Sequence, residues 1–437
     1  MHLDSGEASA NVGAWWKDEQ ALQRFICSLV ASDLSALRPG GVSLPSLPWK
    51  AGLHLIDDLG ADSLELLSIA TALAESLHMH EAGLEDYLLA RVTVGEWVGI
   101  AQTSLQHFSS ALTFRTSGST GQPKPCRHSL PLLEQEVEEL ADLFRHRRRI
   151  LSAVPGHHIY GFLFTILLPR SLGIDASNII DLRGSSPARL ARELKDGDLV
   201  IGHPEFWRAA ARLAPSVPAG VIGVTSTAPC PAEVSQALEQ AGMHKLVQIY
   251  GSSETAGIGW RDDAASPYHL FEHWKRAEGS DHRLIRQLPD GQEVLYSCQD
   301  LLQWTGPREF TPAGRMDNAV QVGGINVFPP RVRDVLLRHP DVADAAVRLM
   351  RPEEGTRLKA FIVPRRLDID HADLQARLHS WVSEHLTTPE RPKAFNFGEQ
   401  LPKSSMGKDG DWSIVATSRP AAEVQLALPT SRHGFLL

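Results

Sequence analysis

Between residues 113 and 129 the chain reads TFRTSGSTGQPKPCRHS, with four hydroxyl residues and two glycines in positions 116–121 and Lys124 directly after Pro123. Hydroxyls, backbone N–H groups that glycine leaves approachable, and one ammonium together make an anion receptor, with phosphate the obvious guest. The stretch does not fit the phosphate loop in which a glycine-lysine pair opens a helix. Here Gln122 and Pro123 intervene, and a proline biases its predecessor away from helix. Upstream, ALTFRT alternates as a strand does; downstream, LLEQEVEELADLFRHRR has helical spacing. Composition alone also fits a Ser/Gly-rich surface turn. The flanking regular elements favour a site.

A chain of 437 residues exceeds one ordinary core and suggests two to four units. Apolar residues at 43% and charged residues at 22% are globular values. The net charge of -9 argues against a nucleic-acid partner, and RHRRR at 145–149 reads as a solvated helix end. No apolar run follows a basic start, and IYGFLFTILLP is too short to span a bilayer, so a cytoplasmic protein without a membrane span is expected. Cys27, Cys126, Cys230 and Cys298 have no C-x-x-C spacing, which fits reduced thiols.

T-S-G-S-T-G-x-P-K resembles the phosphate signature of the adenylate-forming superfamily of acyl- and aryl-CoA synthetases, luciferases and peptide-synthetase adenylation domains. The resemblance implies that Thr116, Ser117, Gly118, Ser119, Thr120, Gly121 and Lys124 grip the ATP phosphates. Further stretches resemble the family's landmarks in order. HIYG would place His158 and Tyr160 in the acyl pocket, although a histidine in an apolar stretch is usually a packed core residue. Ser226-Thr227-Ala228-Pro229 takes the place of a glycine-bearing turn that contacts adenine, a weak match. QIYGSSETAG implies Tyr250, Gly251 and Ser252 at the nucleotide and Glu254 on Mg2+, with Thr120 as a second metal contact. One carboxylate beside phosphate oxygens is chemically sufficient for magnesium. Asp300, fifteen positions before Arg315, has the interval of the ribose-binding pair but lacks the usual Thr-Gly before it. Asp317 in GRMDN matches the hinge. Gln321 stands where many members have lysine. Lys408 in PKSSMGK matches the catalytic lysine, but Asp409-Gly410-Asp411 follows where an arginine is customary, which makes the local field more acidic.

The first hundred residues read as helices: one over 17–35, a second after Asp62 with a capping-box-like Asp62 and Glu65, and a short one from Thr93. D-D-L-G-A-D-S-L-E resembles the attachment site of acyl carrier proteins. That likeness implies 4'-phosphopantetheine on Ser63, a phosphopantetheinyl transferase as partner, and an acidic surface suited to docking. The expected architecture is multidomain: an all-α carrier-like bundle (1–102), a shortened α/β adenylation core (103–316) and a small mobile α+β domain (317–437). Only about ten residues separate the carrier-like unit from ALTFRT, so the family's usual N-terminal subdomain is expected to be absent. The resemblance implies ATP- and Mg2+-dependent adenylation of a small acyl or aryl acid, then transfer to a phosphopantetheine thiol on a carrier protein. Transfer to free coenzyme A and a noncatalytic scaffold are the alternatives.

Overall fold

The structure, a computed structural model, describes residues 14–38, 44–116, 124–183, 187–213, 216–316, 319–366, 368–402 and 410–414. Asp317, Lys408 and the loop positions Ser117, Gly118, Ser119, Thr120 and Gly121 lie outside them. The chain divides into two compact units, 1–328 and 329–437.

The first unit is organised by a nine-stranded sheet. Five strands run parallel, in the spatial order Ile179–Asp181, Ile150–Ser152, Leu199–Gly202, Ile222–Thr225, Lys245–Ser252. Four antiparallel strands extend it: Ala256–Arg261, Tyr268–Leu270, Glu309–Arg315 and Asp300–Trp304. The parallel strands are short apolar runs because both faces are covered. Leu199 and Ile201 enter one core while Val200, between them, enters the other. The second core contains Trp207, whose indole donates to Val224 O at 3.0 Å. A side chain on Gly202 or Gly223 would collide with that indole, so two glycines on neighbouring strands make room for one tryptophan.

The N-terminal helices correct the carrier-like expectation. They form where the local code places them: Asp18 caps Glu19–Leu37, and Asp62 with Glu65 forms a complete capping box on Ser63–Leu77. They do not make a separate bundle. Trp15 and Phe25 pack on Phe162 at ring distances of 5.0 and 5.9 Å. Arg24 reaches Thr165 O at 3.2 Å, and one continuous hydrophobic core joins these helices to the sheet. A carrier must leave its partner to deliver an arm, whereas these helices are built into the core of the first unit. Ser63 is exposed at the first turn of its helix.

Two further expectations are revised. Residues 124–129 form a strand, not a loop running into the helix; Lys124–Ser129 pairs antiparallel with Ala111–Thr116, and helix Leu130–Leu143 follows. The basic run 145–149 is not all solvated: Arg149 lies 3.1 Å from the buried Asp198 and Arg147 donates to Gly220 O.

The second unit centres on strand Leu358–Pro364, antiparallel to Val342–Leu349 and parallel to Ala394–Phe397. Helices Pro329–Leu337 and His371–His385 supply buried Val332, Leu336, Leu374 and Leu378. Lys359 is fully buried, with Nζ 2.7 Å from Glu354 and 3.1 Å from Asp411. Arg351 also pairs with Asp411, at 2.6 Å. Asp411, one of the two acids that follow Lys408 in the sequence, is thus ion-paired from two sides.

Candidate functional site

The antiparallel hairpin of Lys245–Ser252 and Ala256–Arg261 carries the QIYGSSETAG residues at its tip. The tip is tightly determined. Gly251 has no room for a Cβ, which would fall 2.1 Å from Ala256 O, and Ala256 itself takes a left-handed φ of 60°. The Ser252 hydroxyl accepts from the amides of Glu254 and Thr255, each at 3.2 Å. Ser252 thus builds the turn that presents Glu254, whose side chain is exposed.

The hairpin 111–129 meets this tip. His128 is buried and its Nε2 donates to Ser253 O at 2.6 Å, which sets the tautomer because a carbonyl only accepts. Burial pushes the nearby Cys126 thiol up to about 11; Glu254 adds to the rise and Lys124 opposes it. The carboxylate and the ammonium, distant in the chain, therefore bear on the same thiol. Lys124 is exposed and stands opposite Thr116 across the hairpin, so the hydroxyl loop springs from a paired base.

Asp300 and Arg315 are register partners on adjacent strands, with carboxylate and guanidinium 3.5 Å apart. The Tyr250 hydroxyl donates to Asp300 Oδ2. Burial, and then the Asp300 charge, hold that phenol protonated by raising its pKa. Asp300 Oδ1, the oxygen that faces Arg315 at 3.5 Å, is shielded from solvent and accepts no hydrogen bond. Held there by an ion pair and no hydrogen bond, that oxygen can accept one from a ligand hydroxyl such as one on ribose. The residues present thus fit a nucleotide, and Glu254 beside the base of the hydroxyl loop fits a magnesium ion bound to its phosphates.

The parallel strands carry the other residues. His158 immediately precedes helix Ile159–Phe162, without a capping side-chain bond, just beyond strand Ile150–Ser152, at the carboxyl ends of the strands where open α/β sheets bind ligands. Its ring stays exposed and lies 4.4 Å from that of His157. Surrounding protein, and then Arg183, lower its pKa from the ordinary histidine value. Tyr160 is buried, and its hydroxyl is already bonded to Gly202 O at 3.1 Å. His157 bonds Ser28 of the first helix at 2.9 Å, and Arg183 donates to the same hydroxyl at 2.8 Å. Thus the N-terminal helix helps hold the histidine pair.

Thr227, in the Ser226-Thr227-Ala228-Pro229 turn, has a φ of 79°. That is a strained setting for a β-branched residue and explains why glycine suits this turn. Gly324, in the hairpin of Val320–Val322 and Ile325–Val327, approaches so closely that a Cβ would lie 2.8 Å from Thr227 Oγ1. Gln321 is bonded across that hairpin to Asn326. Sequence reasoning missed His128, Thr255 and Ser28. The signal for His128 was its place two residues beyond Cys126, on the same face of a strand. Ser28 had none.

A model of the AMP-binding enzyme family matches residues 62–276, and one of the AMP-binding enzyme C-terminal domain matches 332–408. The 4-coumarate–CoA ligase of Cereibacter sphaeroides is 38% identical over 413 residues, covering 90% of this chain and 97% of that protein. The 4-coumarate–CoA ligase of Halorhodospira halophila is 40% identical over 352 residues, covering 80% of this chain and 88% of that protein. The chain belongs to the adenylate-forming acyl- and aryl-CoA ligase family. It is an AMP-forming acid-thiol ligase. An amide bond synthetase from Marinactinospora thermotolerans shares the fold, with TM-score 0.56 at 18% identity over 89% of this chain and 92% of that one. The family match begins at Asp62, so the Asp-Ser-Leu-Glu stretch that resembles a carrier belongs to the ligase itself. Among the described residues no helix is long and apolar enough to cross a membrane.

Proposed function

We propose that this ligase joins an aromatic carboxylic acid of the hydroxycinnamate type to free coenzyme A through an acyl-adenylate. In the first step a carboxylate oxygen attacks the α-phosphorus of ATP and pyrophosphate leaves. In the second the coenzyme A thiolate attacks the acyl carbon and AMP leaves. The protein's part is positional and electrostatic, because charge accumulates on phosphoryl oxygens as the bonds change. Thr116 to Thr120 and Lys124 would hold the phosphates, Tyr250, Asp300 and Arg315 the nucleoside, and Glu254 and Thr120 the magnesium ion. That ion neutralises phosphate charge and orients the leaving group. Lys408 is assigned the acid-activating role that its motif position implies, and Asp317 the hinge. His158, neutral and solvent-accessible, can hydrogen-bond an acid without adding charge to the pocket.

The observation that carries the reading is Asp300: bonded by Tyr250 at one oxygen, ion-paired with Arg315 at the other, and able there to accept a hydrogen bond from a ligand hydroxyl. The acid class rests on the two 4-coumarate–CoA ligases, whose lengths this chain nearly spans. Free coenzyme A is preferred to a carrier because the helices around Ser63 share the enzyme core. Pyrophosphate exchange driven by a panel of aromatic and fatty acids tests activity and acid class together. Aromatic acids should support exchange, Lys408→Ala should abolish it, and the thioester should appear on coenzyme A. A thioester on protein, or a phosphopantetheine mass on wild type that Ser63→Ala lacks, would reinstate the carrier route. Exchange with no acid would overturn the ligase reading of the site.

A further inference from the structure

Two side chains beyond Lys124 grip the hairpin tip on either side of Glu254. His128, on strand Lys124–Ser129, donates to Ser253 O at 2.6 Å. Glu136, on helix Leu130–Leu143, is fully buried, and both its carboxylate oxygens lie 3.0 Å from the Gly257 amide that they accept. Position 257 must be glycine for this contact, since a Cβ there would stand 2.3 Å from Glu136 Oε1. Of the three residues between the two clamped groups, Ala256 is forced into left-handed φ.

This arrangement is costly for a simple structural tether. An apolar side chain could anchor a turn, whereas a buried carboxylate without an ideal ionic partner is penalised by several kcal/mol. Arg286, the cation acting on Glu136, directs its own hydrogen bonds to Leu132 O and Gln135. Desolvation pushes the Glu136 pKa up to about 7, and Glu139, on the same helix, adds to the rise. Glu139 is itself bonded to His273. Strain and buried charge concentrated around one exposed carboxylate are what a preorganised site requires.

We propose that Glu136 and His128 are positioning residues for Glu254. By holding Gly257 N and Ser253 O from the strand and helix that continue the hydroxyl loop, they fix the magnesium-binding carboxylate at a set distance from Lys124. The inference rests on the nucleotide reading of the site. It concerns how the site is held, not which acid it uses.

The test compares Glu136→Ala, Glu136→Gln, Gly257→Ala and His128→Ala in the full chain. Each variant's KM for MgATP, acid and coenzyme A is measured, together with amide hydrogen exchange of residues 250–261 in the absence of substrates. Glu136→Ala and Gly257→Ala should raise the MgATP KM roughly tenfold, leaving the other two KM values within about twofold. Glu136→Gln keeps an acceptor for Gly257 N and should recover most of that loss. Exchange at residues 252–257 should quicken in Glu136→Ala and His128→Ala, and not in Glu136→Gln. A purely structural role predicts lower stability and kcat with all three KM values unchanged, and that outcome overturns the proposal. If Glu136→Ala does not fold, His128→Ala and Glu136→Gln decide it by the same readouts. A wild type inactive with every acid breaks the ligase reading, while unchanged exchange at 252–257 in His128→Ala breaks the clamp.

Discussion

The two halves of the nine-stranded sheet reach positional precision by different means. In the parallel half, Ile150–Ser152, Leu199–Gly202 and Ile222–Thr225 are buried along their whole lengths, and apolar packing on both faces holds them. In the antiparallel half, Asp300–Trp304 and Glu309–Arg315 each bury one residue fully. There the order comes from rings and ions: Tyr268 stacks on Phe310, Tyr250 and Trp304 pack around the same ring, and Arg315 faces Asp300. Strand Lys245–Ser252 belongs to both halves, parallel on one side and antiparallel on the other. Tyr250 and the Glu254 turn sit at its end, so chemistry begins where apolar enclosure stops. A fully apolar environment fixes geometry but cannot keep charges available to a triphosphate.

The comparison predicts that large-to-small changes in the parallel half act on stability alone. Trp207→Ala removes a fully buried indole and its bond to Val224, and should cost about 4 kcal/mol in urea denaturation. The KM values of the enzyme that remains folded should be unaltered. A selective rise in the MgATP KM would show that the halves are not separable in this way.

The converse holds at the hairpin tip. Glu254 is exposed, so Glu254→Gln should leave the denaturation midpoint unchanged while lowering kcat/KM for adenylation about 100-fold. Raised magnesium should restore part of the loss. A drop in stability of the size seen with Trp207→Ala would mean that Glu254 holds the fold and not the metal.

What was legible in the sequence follows the same division. Local signals named the elements they control: Asp18 and Asp62 cap helices, and the interval from Asp300 to Arg315 closes into opposite residues of two strands. Strand Lys124–Ser129 was not seen because Pro125 and the polar residues around it give it no apolar period. The carrier resemblance failed for a different reason. Residues 57–65 encode a capped helix start, but whether the N-terminal helices stand alone depends on contacts such as those of Trp15 and Phe25 with Phe162, far along the chain. The buried Glu136 was hidden likewise, since its partner is a backbone amide and not a complementary side chain.

At the Asp300 end of the antiparallel half, where the proposed nucleoside site lies, Asp300→Asn should keep the Tyr250 contact and remove the charge opposite Arg315. The expected result is a KM for ATP raised about tenfold, with the acid KM unchanged and stability nearly so, measured by pyrophosphate exchange. Equal rises in both constants would place Asp300 in the general shape of the cleft and not at the nucleoside.

The smallest expected effect bears on the turn that follows parallel strand Ile222–Thr225. Thr227, with its left-handed φ of 79°, carries a strain of order 1–3 kcal/mol, against which a glycine's extra unfolded-state freedom weighs about 0.5–1 kcal/mol. Thr227→Gly should therefore stabilise the protein by about 1 kcal/mol in denaturant titrations. The functional readout sharpens the contrast between the halves. If the Thr227 hydroxyl, hard against Gly324, only fills space, the MgATP KM will follow wild type. If that strained side chain orders the adenine end of the site, the variant will be more stable and bind ATP more weakly. That outcome would place one residue bordering the parallel half under the rule of the antiparallel half, where stability is traded for geometry.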